Sequence, residues 1–375
     1  MADKREFPHH MIKEIFEQPQ GLHDTIAPRI SLPEGVVQLN EVPIRREELQ
    51  KLSRINIVAS GTSRHAGMTG QYMIEDLANV PVDVDYASEF EYRNPMIGQS
   101  ELTIVITQSG ETADTGAAQR EAKKRGSRTV AISNVAGTTI AREADGVIYT
   151  LAGPEISIAS TKAFTAQMAA LFLFALYLAQ ARESLSSDRR EFYIRELLDL
   201  PSKVRRTLEC VEQCEEIAAE FHNVNDFLFM GRAIHYPIAM DGALKLKEVS
   251  YIHAEGYPTG ETKHGPNALI DEHLPVVIIA TRDPADAGSM LRYGKTVSNI
   301  AGFKKQSSSV IALVSEDDTE VRKLADHAIP IPLAPELLSP ILEIVPLQLL
   351  AYHIAVRRGC DVDQPRNLAK SVTVE

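Results

Sequence analysis

Residues 102–115, Leu102-Thr103-Ile104-Val105-Ile106-Thr107-Gln108-Ser109-Gly110-Glu111-Thr112-Ala113-Asp114-Thr115, run from an apolar segment into a hydroxyl-rich turn. Leu102 to Ile106 is a short, mostly β-branched run without alternation. Such a run reads as a strand covered on both faces. Residues 107–115 then hold four hydroxyls, one glycine and two acids, with no Lys or Arg. A polar helical stretch, Ala117 to Arg125, follows. A strand, a Gly-containing turn and a helix together form the repeating unit of an α/β sheet.

The same unit recurs on both sides. Strands are expected at Ile55–Ala59, Val82–Tyr86, Leu102–Thr107, Thr129–Ile132 and Val147–Thr150, separated by helices at Gly67–Leu77, Ala117–Arg125 and Ala163–Leu178. After a charged, helical stretch from Ser184 to Glu220, the plan repeats. Strands at Phe227–Met230, Val276–Ala280, Val310–Val314 and Ala328–Ile331 alternate with helices at Ile238–Tyr251, Ala285–Ile300 and Ile341–Val356. An offset of roughly 170–180 residues between corresponding elements reads as a duplication. The expected order is an N-terminal arm (1–40), a first α/β domain (41–190), a helical linker (191–218), a second α/β domain (219–356) and a C-terminal tail (357–375). The arm holds one amphipathic piece, His10 to Phe16. The tail holds Val372, Val374 and a lone Lys370 between Ala369 and Ser371.

Composition narrows the function classes. The chain has 375 residues, 44% hydrophobic and 24% charged, with a formal net charge of -12. That balance argues against nucleic acid or an anionic membrane, both of which need concentrated Lys and Arg. It leaves room for a small anion in a local site. Three cysteines, Cys210, Cys214 and Cys360, fit a reducing, cytoplasmic compartment. Cys210 and Cys214, four apart with no His or Cys pair nearby, read as two small helix residues. No metal-ligand spacing appears, and no cofactor is expected. The most apolar stretch, Met168 to Ala179, is too short to span a bilayer and reads as a buried helix.

Ligands of open parallel sheets bind at the carboxyl ends of strands. Three turns sit there in the first domain: Ser60-Gly61-Thr62-Ser63, Thr107-Gln108-Ser109-Gly110-Glu111-Thr112 and Ile158-Ala159-Ser160-Thr161-Lys162. Each leads into a helix. Free N–H groups at a helix start, with hydroxyls beside them, hold a phosphate without any cationic side chain. Each turn taken singly also reads as ordinary N-capping. No nucleotide P-loop or dinucleotide fingerprint is present. In the second domain, Lys245 and Glu248 lie three apart on one helix face, and Lys263-His264-Gly265-Pro266 follows. By spacing alone, the first is a solvated ion pair and the second a loop histidine.

Six stretches carry a resemblance: SGTSRHAG (60–67), QSGETADT (108–115), IASTKAFT (158–165), DGALKLKEVSYIHAEG (241–256), KHGP (263–266) and DVDQPRNLAKSVTVE (361–375). With HMIKEIFEQP (10–19) they span nearly the whole chain. They resemble the isomerase half of the glutamine–fructose-6-phosphate aminotransferases, which is built from two sugar isomerase (SIS) domains. The resemblance implies two tandem flavodoxin-like three-layer domains, each a parallel sheet flanked by helices. It places a phosphate cradle on Thr62, Ser63, Thr107, Gln108, Ser109 and Thr112, with Ile158, Ser160 and Ala369 bordering the sugar. It makes Glu248 the base that moves a proton between C1 and C2, assisted by Lys245. It makes His264 the acid/base that opens the ring, supplied across the boundary of a homodimer. It makes Lys370 the amine that forms a Schiff base with the open ketose.

The departures are small in the cradle and large upstream. Ser60 and Thr107 replace Cys and Ser of many relatives, and Gly116 replaces a larger residue. With no cysteine before Cys210, the glutaminase domain of the synthases is expected to be missing. The substrate pair is then fructose 6-phosphate and glucosamine 6-phosphate, with nitrogen from ammonia or a separate glutaminase. The competing expectations are a glucosamine-6-phosphate deaminase or deglycase, and a non-catalytic sugar-phosphate sensor.

Overall fold

A computed structural model describes residues 7–373; Val374 and the first six residues of the arm lie outside them. The chain divides into two compact units. Among the described residues, the first is built from Gln18–Glu155, Lys162–Pro201 and 369–373, and the second from 7–17, Ile156–Thr161 and Ser202–Leu368. The termini are thus exchanged. The arm's helix α1 (His10–Phe16) belongs with the C-terminal sheet, and the tail beyond Ala369 belongs with the N-terminal one.

The first unit holds a five-stranded parallel sheet of β1 (Arg54–Ala59), β2 (Val82–Tyr86), β3 (Glu101–Thr107), β4 (Arg128–Ser133) and β5 (Gly146–Tyr149), in the order β2-β1-β3-β4-β5. Every residue of β3 after Glu101 is buried, as its unbroken apolar run requires. Two long helices, α2 (Gly61–Ala78) and α4 (Lys162–Arg182), pack against each other. A Cβ on Gly70 would lie 2.9 Å from Leu171 Cδ1, so Gly70 is what lets them meet. On the other face, α3 (Ala113–Lys124) sets Ala118 and Ala122 against Val58 and Phe90. The result is three layers.

The second unit repeats this order with β6 (Asp226–Gly231), β7 (His253–Pro258), β8 (Val276–Ala280), β9 (Val310–Ser315) and β10 (His327–Ile331), as β10-β9-β8-β6-β7, all parallel. Helices α5 (Tyr236–Ser250) and α7 (Ser339–Arg357) pack together, and Tyr293, Ile300 and Phe303 of α6 (Ala287–Lys305) join the core beside β8 and β9. Strand β7 is absent from the sequence expectation. It reads His-Ala-Glu-Gly-Tyr-Pro, with a single fully buried residue, because it is an edge strand; a Cβ on its Gly256 would lie 2.4 Å from Met240 Cα of α5, which packs on it. Both α4 and α7 are long and apolar enough to cross a membrane by length and composition, α4 running well past the Met168–Ala179 stretch. Each is 89% buried within the fold, so both are core helices.

Candidate functional site

In the first unit the candidate cradle forms at the carboxyl edge of the sheet, beside the strand-order switch between β1 and β3. Helix α2 starts after Ser60 and α3 after Thr112, and neither cap residue bonds its own helix through its side chain. Ordinary N-capping therefore does not explain these hydroxyls. Thr107 Oγ1 instead lies 3.1 Å from Thr112 Oγ1 and accepts the Gly110 N–H at 3.1 Å. Ser109 Oγ accepts the Glu111 N–H at 3.2 Å. These bonds bend the loop back on itself. Gly110 makes the bend possible: its φ is +73°, and a Cβ there would lie 2.0 Å from Thr138 Oγ1. Thr62 and Thr107 are buried, while Ser63, Gln108, Ser109 and Thr112 are half-buried.

The tail is tied to this loop. Ser371 Oγ lies 2.9 Å from Ser109 Oγ, and the Val372 carbonyl accepts the Ala113 N–H at 3.0 Å. Between them and the rest of the unit, Lys370 Nζ donates to Glu155 Oε2 at 2.6 Å. Glu155 is fully buried at its side chain, and its Oε1 accepts the Ala163 N–H at 3.1 Å. A buried carboxylate at the start of α4 thus fixes the lysine next to the cradle. Glu155 is missing from the sequence expectation, since no motif offset marks it. Its only signal was an acid just upstream of the IASTKAFT stretch.

In the second unit, Lys245 and Glu248 meet on α5, with Lys245 Nζ donating to Glu248 Oε2 at 2.5 Å. Lys245 is 1% exposed and Glu248 22%. This is not the solvated pair that spacing alone describes; the amine is buried and one carboxylate faces outward. His264 closes the 3₁₀ turn Thr259–His264 and is exposed. Ile158 and Ser160 are half-buried, and the Ile158 N–H is spent on the Asp363 carbonyl at 3.0 Å. The same segment is pinned by Glu14 of α1, whose buried carboxylate accepts the Ile156 N–H at 2.5 Å.

A cavity of about 700 Å³ lies elsewhere in this unit, at the amino ends of β6 to β8. Asp226, Glu255, Asp271 and Glu272 line it. Its position and its acidic lining both disfavour a phosphorylated ligand.

Comparison with known proteins agrees with this geometry. A family model described as SIS domain matches residues 48–177 and 220–358. The chain belongs to the SIS domain family. It is 49% identical over its full length to the isomerizing glutamine–fructose-6-phosphate aminotransferase of Chlorobaculum tepidum, and 48% identical to that of Thermus thermophilus. The chain spans 59% and 60% of the length of those relatives. Among solved structures, the C-terminal domain of glucosamine-fructose-6-phosphate aminotransferase from Francisella tularensis aligns with a TM-score of 0.90 at 38% identity, covering 97% of this chain and 100% of that one. Glucosamine-6-phosphate deaminase of Thermotoga maritima shares the fold, with a TM-score of 0.73 at 21% identity, 97% of this chain and 99% of that one being covered.

Proposed function

We propose that this chain isomerises hexose 6-phosphates and, given ammonia, converts fructose 6-phosphate to glucosamine 6-phosphate. The observation that carries the reading is the buried Lys245 amine on Glu248. A carboxylate held by a buried cation, with one side open, is a positioned proton carrier rather than surface decoration. The names of the relatives and of the Francisella structure support the substrate class.

The steps balance without a cofactor. The 6-phosphate is anchored at the starts of α2 and α3 and by Ser63, Gln108, Ser109 and Thr112. His264 passes a proton to the ring oxygen and opens the sugar. Lys370 adds to the C2 carbonyl and releases water, giving an imine that ammonia then displaces. Glu248 removes a proton from C1 and returns it at C2, so the ketose imine becomes the 2-amino aldose. In this reading the 41–190 domain anchors the phosphate and the 219–356 domain moves protons.

We place His264 in the site of a second copy. Its imidazole is exposed and makes no hydrogen bond or ion pair among the described residues. The three free thiols fit a cytoplasmic setting.

The test is incubation with fructose 6-phosphate and an ammonium salt, with glucosamine 6-phosphate as the readout. Glu248→Gln should abolish product and also proton exchange at C1 in deuterated water. No turnover by the unaltered chain would sink the proposal. Much faster ammonia release from glucosamine 6-phosphate than amination would turn it into a deaminase. Mixing Glu248→Gln with His264→Ala subunits should restore about a quarter of the activity if the histidine crosses between copies, and none if it does not.

A further inference from the structure

The two sheets share one order, so each turn at the carboxyl edge of the first has a counterpart in the second. The counterpart of Ser60–Ser63 after β1 is the 232–235 turn after β6. That of the Thr107–Thr112 loop after β3 is the 281–286 loop after β8. That of the segment between β5 and α4 is residues 332–338, between β10 and α7. The first set presents two hydroxyl-rich turns whose cap residues bond no helix N–H through their side chains, and a third segment whose carboxylate, Glu155, is taken by Lys370 and the Ala163 N–H. The second set converges on one carboxylate, Glu336.

Glu336 Oε1 accepts from Arg292 Nε at 2.6 Å and lies 2.9 Å from His235 Nε2. Its Oε2 accepts from Arg292 Nη2 at 2.9 Å and from Ser289 Oγ at 2.5 Å. Ser289 and Arg292 come from the first two turns of α6. A fork from arginine, an imidazole and a hydroxyl on one anion is the donor set of an oxyanion site. Behind it, Glu343 of α7 faces His235 Nδ1 at 2.8 Å and accepts from Thr281 Oγ1 at 2.6 Å. Asp283 borders the site by accepting the Glu336 N–H at 3.4 Å. His235 and Glu343 are 0% exposed and Arg292 6%. The Arg292 Nη1 atom is buried with no hydrogen-bond partner among the described residues.

We propose that the second domain keeps a copy of the anion site, shut by its own Glu336 carboxylate, so that each chain offers one open oxyanion site and not two. With His235 protonated, the cations His235 and Arg292 balance Glu336 and Glu343. Asp283 stands at the border, so removing Glu336 chiefly leaves His235, Arg292 and Ser289 without their shared acceptor, which an external phosphate would replace. The titration directions agree. Burial alone would raise the Glu336 carboxyl, but His235 and Arg292 hold it far below the usual carboxylate range. Burial alone would lower His235, but Glu343 and Glu336 overcome it and raise it.

The test is thermal unfolding of the full chain and of Glu336→Ala, in sodium phosphate and in sodium chloride at equal ionic strength. Glu336→Ala should melt lower than the unaltered chain in chloride and recover in phosphate, with a saturable rise. Glu336→Gln, which fills the space, should lose stability without gaining that response. Calorimetric titration with inorganic phosphate should count one more site per chain in Glu336→Ala. A phosphate response in Glu336→Ala equal to that of the unaltered chain overturns the proposal. If Glu336→Ala does not accumulate folded, it is refolded from urea in each salt. Recovery only in phosphate supports the proposal; equally poor recovery in both refutes it. Failure of the first-domain cradle would instead appear as no phosphate response in the unaltered chain, leaving the difference between the two proteins intact.

Discussion

Replacing Glu155 by Gln should loosen the tail that carries Lys370, by an amount the structure sets. The variant keeps the acceptor for the Ala163 N–H at 3.1 Å and removes the charge facing Lys370 Nζ at 2.6 Å. A hydrogen bond to a charged partner is worth about 1.5–3 kcal/mol. Lys370 is 24% exposed, so its ammonium regains some water when the carboxylate goes, which favours the low end. About 2 kcal/mol is the reasonable figure. The reporter is the amide of Ala113, at the start of α3, whose N–H donates to the Val372 carbonyl. Opening of the tail exposes that amide, and its exchange measures the local opening free energy. At 1.4 kcal/mol per tenfold, exchange should speed up about 30-fold. Ser371→Ala, which removes only the neutral bond to Ser109 at 2.9 Å, should lose about 1 kcal/mol and speed exchange about 5-fold. Lys370→Met, which removes the same ion pair at 2.6 Å from the other side, should also speed exchange. Ala113 exchange in Glu155→Gln within twofold of the unaltered chain would refute the anchoring role of Glu155.

Gly110→Ala should destabilise the first unit by more than the ~1–2 kcal/mol of left-handed backbone strain, since its Cβ also meets Thr138 Oγ1; denaturant titration measures the loss, and phosphate affinity should fall with it. Gly70→Ala should also destabilise, by about 1–3 kcal/mol from overpacking against Leu171, less the ~1 kcal/mol that alanine gains in a helix; a stabilised variant would contradict the close α2–α4 approach. The pH profile has two edges. Glu336 is depressed from 4.5, so its contribution is present above that value and lost as pH falls through its folded pKa. His235 is raised from 6.5, so its contribution is present below that value and lost as pH rises through its folded pKa. Urea midpoints should therefore decline on the alkaline side, and His235→Gln should remove that slope.

The sheets were legible because their strands are covered on both faces. A continuous run such as Leu102–Ile106 or Val276–Ala280 has few other readings once helices flank it. Strand β7 was not legible for the converse reason: only Ala254 is fully buried, and Gly256 is there for the close approach of Met240 on α5, which no local pattern shows. The site divides along the same line. The turns of the first domain announce themselves because an anion cradle is built from consecutive residues, so its hydroxyls sit side by side in the sequence. The groups that hold the chemistry in place are scattered. Glu155 reaches Lys370 across 215 residues, and His235 reaches Glu343 across 108. No local pattern encodes such pairs; the duplicated topology brings them to one sheet edge. Spacing was also silent on burial, and burial reversed the reading of Lys245 and Glu248. At i,i+3 they form a routine surface pair until α5 is packed into its unit, which leaves the lysine buried and the glutamate at the rim. A residue's chemistry here follows from which face of its helix the fold covers, and that is settled by residues far away in the sequence.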